Sequence, residues 1–240
     1  MIIDEFTFKD LKKFLLNVSL EHLTPNIGNV NNQDISVKED SSKATKFDLI
    51  IEKLLLDYFK NLGISSFLAE ESYPLTLIDQ NEYITIDPID GTRNFINGIN
   101  KIAIMISYIK SEKLIFSIIF NPITNDFYHL YKSKLYKNFI IHNIDFPEKH
   151  IGYINDRNKE KLSKYINNYE LLRKSNCIGY DLIEILEGNR TFLNINKGKC
   201  WDIFPVIGIL ESIGLNKIPQ ETIKFNFSMS ESSFFYYAKI

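Results

Sequence analysis

The hydrophobic and polar positions of this 240-residue chain follow two periodicities. Apolar residues recur every three to four positions over 6–23 and 45–62, which predicts two amphipathic helices. Between these helices, residues 24–33 are rich in Asn, Pro and Gly and predict a loop. Residues 35–37 predict a short strand, and the polar segment 38–43 is expected to be mobile.

Short apolar runs after residue 63 predict strands. These runs cover 64–69, 83–86, 102–109, 113–120 and 126–131. From about residue 143 the pattern changes to short strands alternating with helices, which predicts a second half with α/β character. Its predicted helices are 156–166, 179–186 and 202–213, and its predicted strands are 169–172, 190–193, 225–227 and 234–238. We therefore expect an N-terminal α+β half over 1–142 and a C-terminal α/β half over 143–240.

The apolar strand 83–86 runs directly into a turn that carries two acids, Asp87 and Asp90. Carboxylates at the end of a buried strand are costly unless something pairs with them. Pro88 is expected to end the strand, and Gly91 to allow a tight turn. A helical turn that begins at Thr92 would offer free N–H groups to an anion. The stretch therefore predicts a divalent cation that holds a phosphate.

Further carboxylates lie at the ends of other predicted elements: Asp48, the pair Glu70 and Glu71, and Asp202. Each has a simpler explanation, because Asp48 and Asp202 could cap helices and the glutamates could be a solvated strand end. Clustered carboxylates without a counter-charge would raise one another's pKa. Oxygen ligands are those that Mg²⁺ prefers, and two such ions about 4 Å apart can hold a phosphoryl group. Spacing alone leaves open whether the acids converge.

Composition and charge exclude several classes of protein. The net charge of −2 and the pI near 6.1 give no sign of nucleic-acid binding. The two cysteines and four scattered histidines favour neither a disulfide framework nor a zinc site. The N-terminus is acidic where a signal peptide would be basic, and the apolar runs are too short to span a membrane. We therefore expect a cytoplasmic protein that binds neither membranes nor nucleic acid.

Three motifs in this order resemble the inositol monophosphatase family of the lithium-sensitive, Mg²⁺-dependent phosphatase superfamily. They are Ala-Glu-Glu-Ser at 69–72, Ile-Asp-Pro-Ile-Asp-Gly-Thr at 86–92, and Trp-Asp at 201–202. Weaker support comes from Asp48 in the second helix and from the strand at 116–122. The resemblance covers about residues 37–214. It implies a mixed α+β and α/β fold, a layered α-β-α-β-α sandwich of the inositol monophosphatase and fructose-1,6-bisphosphatase type that is often dimeric.

The resemblance also implies roles for individual residues. Two Mg²⁺ ions would be bound, with a third, looser ion near Glu71. The implied metal ligands are Glu70, Asp87, the carbonyl of Ile89, Asp90 and Asp202, together with Glu71. Glu70, Thr92 and Asp48 would form the catalytic set, in which Thr92, with Asp48 behind it, orients a metal-activated water for direct attack on phosphorus. The phosphate and substrate contacts would be Gly91, Thr92, Asp90 and Asp202.

Departures from the family pattern lie on the substrate side. Asn194, Ile195 and Asn196 stand where the family usually has a glutamate, and Cys177 lies in the segment that usually contacts substrate. Inositol monophosphate is therefore only the default among small phosphorylated metabolites. Histidinol phosphate, a sugar phosphate and 3′-phosphoadenosine 5′-phosphate stay open as substrates.

Two other classes of protein remain alternatives to this phosphatase. A haloacid-dehalogenase-type phosphatase would need its two acids two residues apart, whereas Asp87 and Asp90 are three apart. A degenerate, non-catalytic interaction protein would explain the altered substrate segments. It gives no reason for all the candidate metal carboxylates to be present.

Overall fold

The structure is a computed structural model, and it describes residues 4–72, 79, 81–154, 160, 164–196, 198–220, 223–225 and 233–239. Helices α1 (Glu5–Val18) and α2 (Lys46–Asn61) bury the apolar faces that the sequence predicts. The first helix was predicted to run to residue 23. α-Helical bonding instead ends at Val18, and a π-helical turn (Ser19–Leu23) and a 3₁₀ turn (Thr24–Asn26) follow.

A two-stranded hairpin precedes α2. Its strands are β1 (Ile35–Val37) and β2 (Lys43–Thr45), which pair antiparallel. The segment expected to be mobile forms the connecting turn, in which Lys38 and Ser42 pair through the backbone at 2.9 Å. The hairpin therefore gives the side chain of Lys38 a defined position.

The larger sheet has seven described strands in sequential order, of which only β3 and β4 pair in parallel. The strands after β4 pair antiparallel, and the short helix α3 (Thr92–Ile96) follows β4. β4 to β6 read as continuous apolar runs because helices cover both faces of the sheet. The strands are β3 (Phe67–Ala69), β4 (Glu82–Asp90), β5 (Ala103–Lys110), β6 (Lys113–Asn121), β7 (Asp126–Tyr131), β8 (Lys134–Lys137) and β9 (Ile140–Ile141). The last two were not predicted.

The smaller sheet has the described strand order β11-β10-β12-β14-β13, with β10 to β12 parallel and β14 antiparallel to its neighbours. Of the predicted helix 156–166 and the predicted strand 225–227, most residues lie outside the described ranges. β10 and β13 were not predicted. The strands are β10 (His150–Tyr153), β11 (Tyr169–Leu171), β12 (Phe192–Ile195), β13 (Asn216–Ile218) and β14 (Phe234–Tyr237).

Helices α4 (Ile178–Leu186) and α5 (Cys200–Ser212) lie between the two sheets. Helix α5 is apolar on almost every side, as a helix buried between two layers must be. One core cluster unites it with side chains of both sheets, while α1 and α2 cover the opposite face of the larger sheet. The predicted sandwich of mixed sheets and helices is confirmed. The division at residue 142 stays a prediction. No helix in the described ranges is both long and apolar enough to cross a bilayer.

Candidate functional site

Strand β4 turns Asp87 and Asp90 to the same face of the larger sheet. Residues three apart on a regular strand point to opposite faces. The pairing of β4 with β5 shifts register here, so Asp87 lies opposite Met105 and Asp90 lies opposite Ala103. Met105 and Ala103 are two residues apart and both belong to the core around α5. A β-bulge in β4 therefore directs both carboxylates toward α5.

The expectation that Pro88 ends this strand was wrong, because β4 continues to Asp90. Pro88 supplies no backbone N–H, and a bulge is one of the places where a strand tolerates that loss. The N–H of Ile89 donates to Asp87 Oδ1 at 3.0 Å. The irregular backbone thus helps to hold the carboxylate.

Gly91 ends β4 in a conformation that only glycine adopts easily. Its φ is +89°, and a Cβ there would lie 2.8 Å from the carbonyl oxygen of Lys101 and 3.1 Å from Cys177 Cβ. Helix α3 begins at the next residue, as predicted. The hydroxyl of Thr92 is thereby placed 3.1 Å from the carbonyl oxygen of Ile89 and 3.2 Å from Asp48 Oδ1.

Asp48 both caps α2 and contacts the site. Its Oδ2 accepts from the N–H and the hydroxyl of Thr45, each at 2.6 Å, in the predicted capping box. Its Oδ1 accepts from Thr92. Burial raises the pKa of Asp48 to about 6 against the opposing effect of the Thr45 donors. Capping and a role in the site are therefore compatible for this side chain.

Glu70 and Glu71 follow β3, the parallel neighbour of β4. The N–H of Glu70 donates to the carbonyl oxygen of Ile86 at 3.1 Å, which places Glu70 beside the end of the apolar part of β4. Parallel neighbours end at the same edge of a sheet, so Glu70 meets Asp87 there. Burial, followed by the charge of Glu70 and then those of Asp90 and Asp202, raises the pKa of Asp87 well above its usual value.

Sequence reasoning missed two charged residues at this edge, Lys38 and Glu52. The ammonium of Lys38 is 2.9 Å from Glu70 Oε1 and 2.7 Å from Glu71 Oε1. Glu52 is buried and accepts from the N–H of Glu71 at 2.7 Å. Glu52 lies four residues after Asp48 and so shares its face of α2, a signal that could have revealed it. Nothing in the local sequence identifies Lys38.

Asp202 lies in the first turn of α5, not at the cap position. The helix begins two residues earlier than predicted, with Lys199 before it, and the N–H of Asp202 donates to the carbonyl oxygen of Lys199 at 3.1 Å. Burial, then the charges of Asp90 and Glu70, raises the pKa of Asp202 to about 8, and a hydrogen bond with Asp87 opposes this shift. Asp87 thus interacts with both Glu70 and Asp202.

The segment around Cys177 contacts Asp90 rather than facing only a substrate. The thiol of Cys177 donates to Asp90 Oδ2 at 3.0 Å, and the N–H of Gly179 donates to the same oxygen. Burial raises the pKa of Asp90 to about 7, although these two donors oppose the increase. The N-terminus of α4 therefore holds one oxygen of this carboxylate in place.

The donor set is chemically suited to a hard divalent cation, since it consists of carboxylate and carbonyl oxygens. Among the described residues, no three His, Cys, Asp or Glu side chains already form an arrangement that could hold a metal ion. Burial raises the pKa values of Asp87, Asp90 and Asp202, and the charge of Glu70 contributes to the increase in all three. The larger sheet and α5 fix the backbone that brings these acids together, whereas a carboxylate reorients by changing rotamer. The residues thus fit Mg²⁺ in donor type and in charge.

A family model and several curated relatives match this chain. The sequence model of the inositol monophosphatase family matches residues 11–216. A fructose-1,6-bisphosphatase/inositol-1-monophosphatase of Methanocaldococcus jannaschii is 34% identical over 129 residues, covering 48% of this chain and 50% of that protein. An inositol-1-monophosphatase of Rhizobium meliloti is 28% identical over 122 residues, or 48% of this chain and 46% of the relative.

A different activity is named for another relative. A 3′(2′),5′-bisphosphate nucleotidase CysQ of Haemophilus influenzae is 29% identical over 102 residues, or 40% of this chain and 37% of that protein. The matched segments of this chain cover half or less of the length of each of these curated relatives.

Solved structures match along nearly the whole chain. A Thermotoga maritima IMPase superposes with a TM-score of 0.76 at 19% identity, covering 95% of this chain and 91% of that one. An IMPase/NADP phosphatase complexed with Mg²⁺ and phosphate superposes with a TM-score of 0.75 at 18% identity, covering 97% and 92%. At these identities the likeness concerns the fold.

Proposed function

The chain belongs to the inositol monophosphatase family, and from this premise we propose that it is a Mg²⁺-dependent phosphomonoesterase acting on a small phosphorylated metabolite. One observation carries the proposal. Asp87 interacts with Glu70, which follows β3, and with Asp202 of α5, and Asp90 of the same strand as Asp87 adds a further charge. Four buried or half-buried acids that interact with one another call for cations.

The ligands that we assign to Mg²⁺ are those that the family resemblance implies. They are Glu70, Glu71, Asp87, the carbonyl of Ile89, Asp90 and Asp202. When bound, the ions stabilise charge on the phosphoryl oxygens and lower the pKa of water. A solved relative in complex with Mg²⁺ and phosphate supports this cation. We propose two ions, and a third at Glu71 would compete with the ammonium of Lys38.

The chain itself contributes a short proton path. The hydroxyl of Thr92 donates to Asp48 Oδ1 or to the carbonyl oxygen of Ile89, so its lone pairs are free to accept a proton from the attacking water. Asp48 is locked by Thr45 and has a pKa of about 6, which suits a group that takes a proton near neutrality. We infer that Thr92 and Asp48 orient this water and draw its proton away.

The phosphate contacts belong to the same turn. We propose that the backbone N–H groups of Gly91 and Thr92 bind phosphate oxygens and that water attacks phosphorus directly, with no phosphoenzyme. Inositol monophosphate is the default substrate, supported by the names of several relatives. The nucleotidase among the relatives keeps 3′-phosphoadenosine 5′-phosphate open, and histidinol phosphate and sugar phosphates also stay open. A non-catalytic interaction protein is the weaker candidate, because it gives the clustered acids no purpose.

Cytoplasmic localisation and a homodimer complete the proposal. Both cysteines are free and buried, which suits a reducing compartment. The dimer rests on the family resemblance alone.

The test is the hydrolysis of a panel of phosphomonoesters by the purified protein. We expect phosphate release with Mg²⁺ and none with EDTA. Asp87→Asn should lower kcat/KM by about 10²-fold or more, because a proposed Mg²⁺ ligand loses its charge. Its stability in EDTA should be equal or higher, since repulsion with Glu70 and Asp202 is relieved.

The matched control is Asp57→Asn, the same change on α2 at a side chain that is 48% exposed, which should keep full activity. A wild-type protein that stays inert across the panel with Mg²⁺ or Mn²⁺ would overturn the proposal.

A further inference from the structure

Helix α2 carries a second buried acid, Glu52, one turn after Asp48. The two side chains are almost fully buried, at 3% and 0% exposure. Residues four apart lie on the same face of a helix, where like charges repel one another. Burying a carboxylate also costs free energy unless it receives hydrogen bonds. Two acids on one buried face are therefore unfavourable for α2 by itself, which points to a role outside the helix.

The hydrogen bonds of these two acids lead to the two chain segments that form the candidate site. Asp48 Oδ1 accepts from the hydroxyl of Thr92, the first residue of α3 after β4. Glu52 Oε2 accepts from the backbone N–H of Glu71 at 2.7 Å, just beyond the end of β3. Helix α2 thus contacts the segments that follow the parallel neighbours β3 and β4, each through a different carboxylate.

The bond to Glu52 anchors the main chain where the sheet no longer does. Strand β3 ends at Ala69, and the N–H of Glu70 still donates to the carbonyl oxygen of Ile86 in β4 at 3.1 Å. The next N–H, that of Glu71, has its partner in α2. A buried N–H without a partner is costly, so an acceptor is needed at this place. Consecutive N–H groups are thereby fixed to β4 and to α2.

Glu71 is held at its carboxylate as well as at its main chain. The carboxylate is 2.7 Å from the ammonium of Lys38, and the side chain is 4% exposed. Glu70 is 2.9 Å from the same ammonium. A shift of the main chain at Glu71 would move both carboxylates, because they belong to consecutive residues. Groups that orient the ligands of a metal typically change its affinity about 10- to 100-fold when they are removed.

We propose, on the basis of the Mg²⁺-dependent function above, that Glu52 is a positioning residue for the cation site. It holds the main chain at Glu71, so that Glu70 and Glu71 present their carboxylates to Mg²⁺. Glu52 itself contacts neither the cation nor the substrate. The hydrogen bond carries this role rather than the charge, because an uncharged amide oxygen in the same place would also accept the N–H.

Three substitutions separate the hydrogen bond from the charge. Glu52→Gln keeps an acceptor oxygen on a side chain of the same length and removes the charge. Glu52→Asp keeps the charge and withdraws the oxygens by one methylene group, and Glu52→Leu removes both charge and acceptor. By calorimetry, Mg²⁺ should bind about tenfold or more weakly to Glu52→Leu and Glu52→Asp, and within about threefold of the wild-type affinity to Glu52→Gln.

Hydrogen exchange in EDTA reports on the bond itself without any metal. The amide of Glu71 should exchange about tenfold or more faster in Glu52→Leu and Glu52→Asp than in the wild-type protein and Glu52→Gln. The matched control is Ile51→Val, a packing change at the neighbouring buried position of α2. It should lower Tm and leave the Mg²⁺ affinity unchanged, which separates a loss of stability from a loss of positioning.

The outcomes distinguish this role from the function on which it rests. Normal Mg²⁺ binding by Glu52→Asp with weak binding by Glu52→Gln would mean that the charge acts, and the positioning role would be overturned. Wild-type affinity in all three variants would overturn it as well. In both cases, ester hydrolysis by the wild-type protein would leave the phosphatase standing. If the expected pattern of Mg²⁺ binding is found but no ester is cleaved, the phosphatase fails and the role of Glu52 stands. A wild-type protein that binds no Mg²⁺ would overturn both.

Discussion

Burial decides what the acids of this chain can do at the scale of single residues. Asp87 is 2% exposed, and a carboxyl group at that depth must either keep its proton or be paired with a cation or strong hydrogen-bond donors. Its neighbours Glu70 and Asp202 make ionisation harder still. The half-exposed Asp57 pairs with Lys53 on α2 and needs no further partner. Residue type alone would not separate the two acids.

His129 allows the effect of burial on a pKa to be tested away from the candidate metal site. Burial lowers the pKa of His129 to about 4, against a small opposing effect of Glu5. Its ring stacks on Phe8 and Tyr136, with centroids 4.7 and 4.8 Å apart. The imidazole of His129 therefore takes up a proton near pH 6.5 in the unfolded chain but only near pH 4 in the folded protein. The contribution of neutral His129 to the free energy of unfolding is full above pH 6.5 and is lost as the pH falls toward 4.

We expect His129→Phe to remove this pH dependence. From pH 7.5 to pH 5, the wild-type protein should lose about 2 kcal/mol of unfolding free energy more than the variant, measured by urea denaturation. Comparing each protein with itself at pH 7.5 removes the effect of altered packing. Equal losses in both proteins would contradict the assignment.

At the scale of elements, the bulge in β4 and the β1–β2 hairpin bring charged side chains to the candidate site. A regular strand would direct Asp87 and Asp90 to opposite faces, and the bulge corrects this. The hairpin brings Lys38 to Glu70 and Glu71, whose charges keep the pKa of Lys38 above its usual value although burial opposes this. The pattern of apolar positions predicts neither arrangement, because both depend on a neighbouring element.

Lys38→Met removes the ammonium and keeps most of the side-chain length. In EDTA we expect the variant to lose about 1 kcal/mol of unfolding free energy, because two partly buried carboxylates lose their counter-charge. Mg²⁺ should bind more tightly to the variant by calorimetry, because the ammonium no longer competes for Glu70 and Glu71.

Lys43→Met is the matched control, since Lys43 lies in the same hairpin with an exposed side chain. It should change neither the stability in EDTA nor the Mg²⁺ affinity. Weaker Mg²⁺ binding by Lys38→Met would mean that the ammonium assists the cation, which is the opposite role.

At the scale of the whole molecule, the candidate site lies between the larger sheet and helix α5. Helix α5 carries Asp202 and packs against the core side chains of both sheets. Ligands of one cation would thus come from the larger sheet and from α5. Metal binding should therefore stabilise the packing of the layers as well as serve catalysis.

Thermal unfolding with Mg²⁺ tests this link. We expect saturating Mg²⁺ to raise Tm, since a ligand at 100 times its Kd adds about 2.7 kcal/mol to the free energy of unfolding. Asp202→Asn should lose most of this rise, while its Tm in EDTA should be at least that of the wild-type protein because one repelling charge is gone. Asp57→Asn should keep the rise. A full Mg²⁺-dependent rise in Asp202→Asn would remove Asp202 from the ligand set.

The sequence by itself determined the helices α1 and α2, the long strands β4 to β7 and the oxygen-rich chemistry of the motifs, because periodicity, caps and turn residues act over a few neighbouring positions. Only the tertiary structure decided that Asp90 shares a face with Asp87, that Lys38 bridges two glutamates, and that Cys177 and Gly179 hold Asp90. Apart from the bulge, these contacts join residues that are far apart in the chain. The packing of the two sheets around α4 and α5 sets them, and no local pattern encodes that packing.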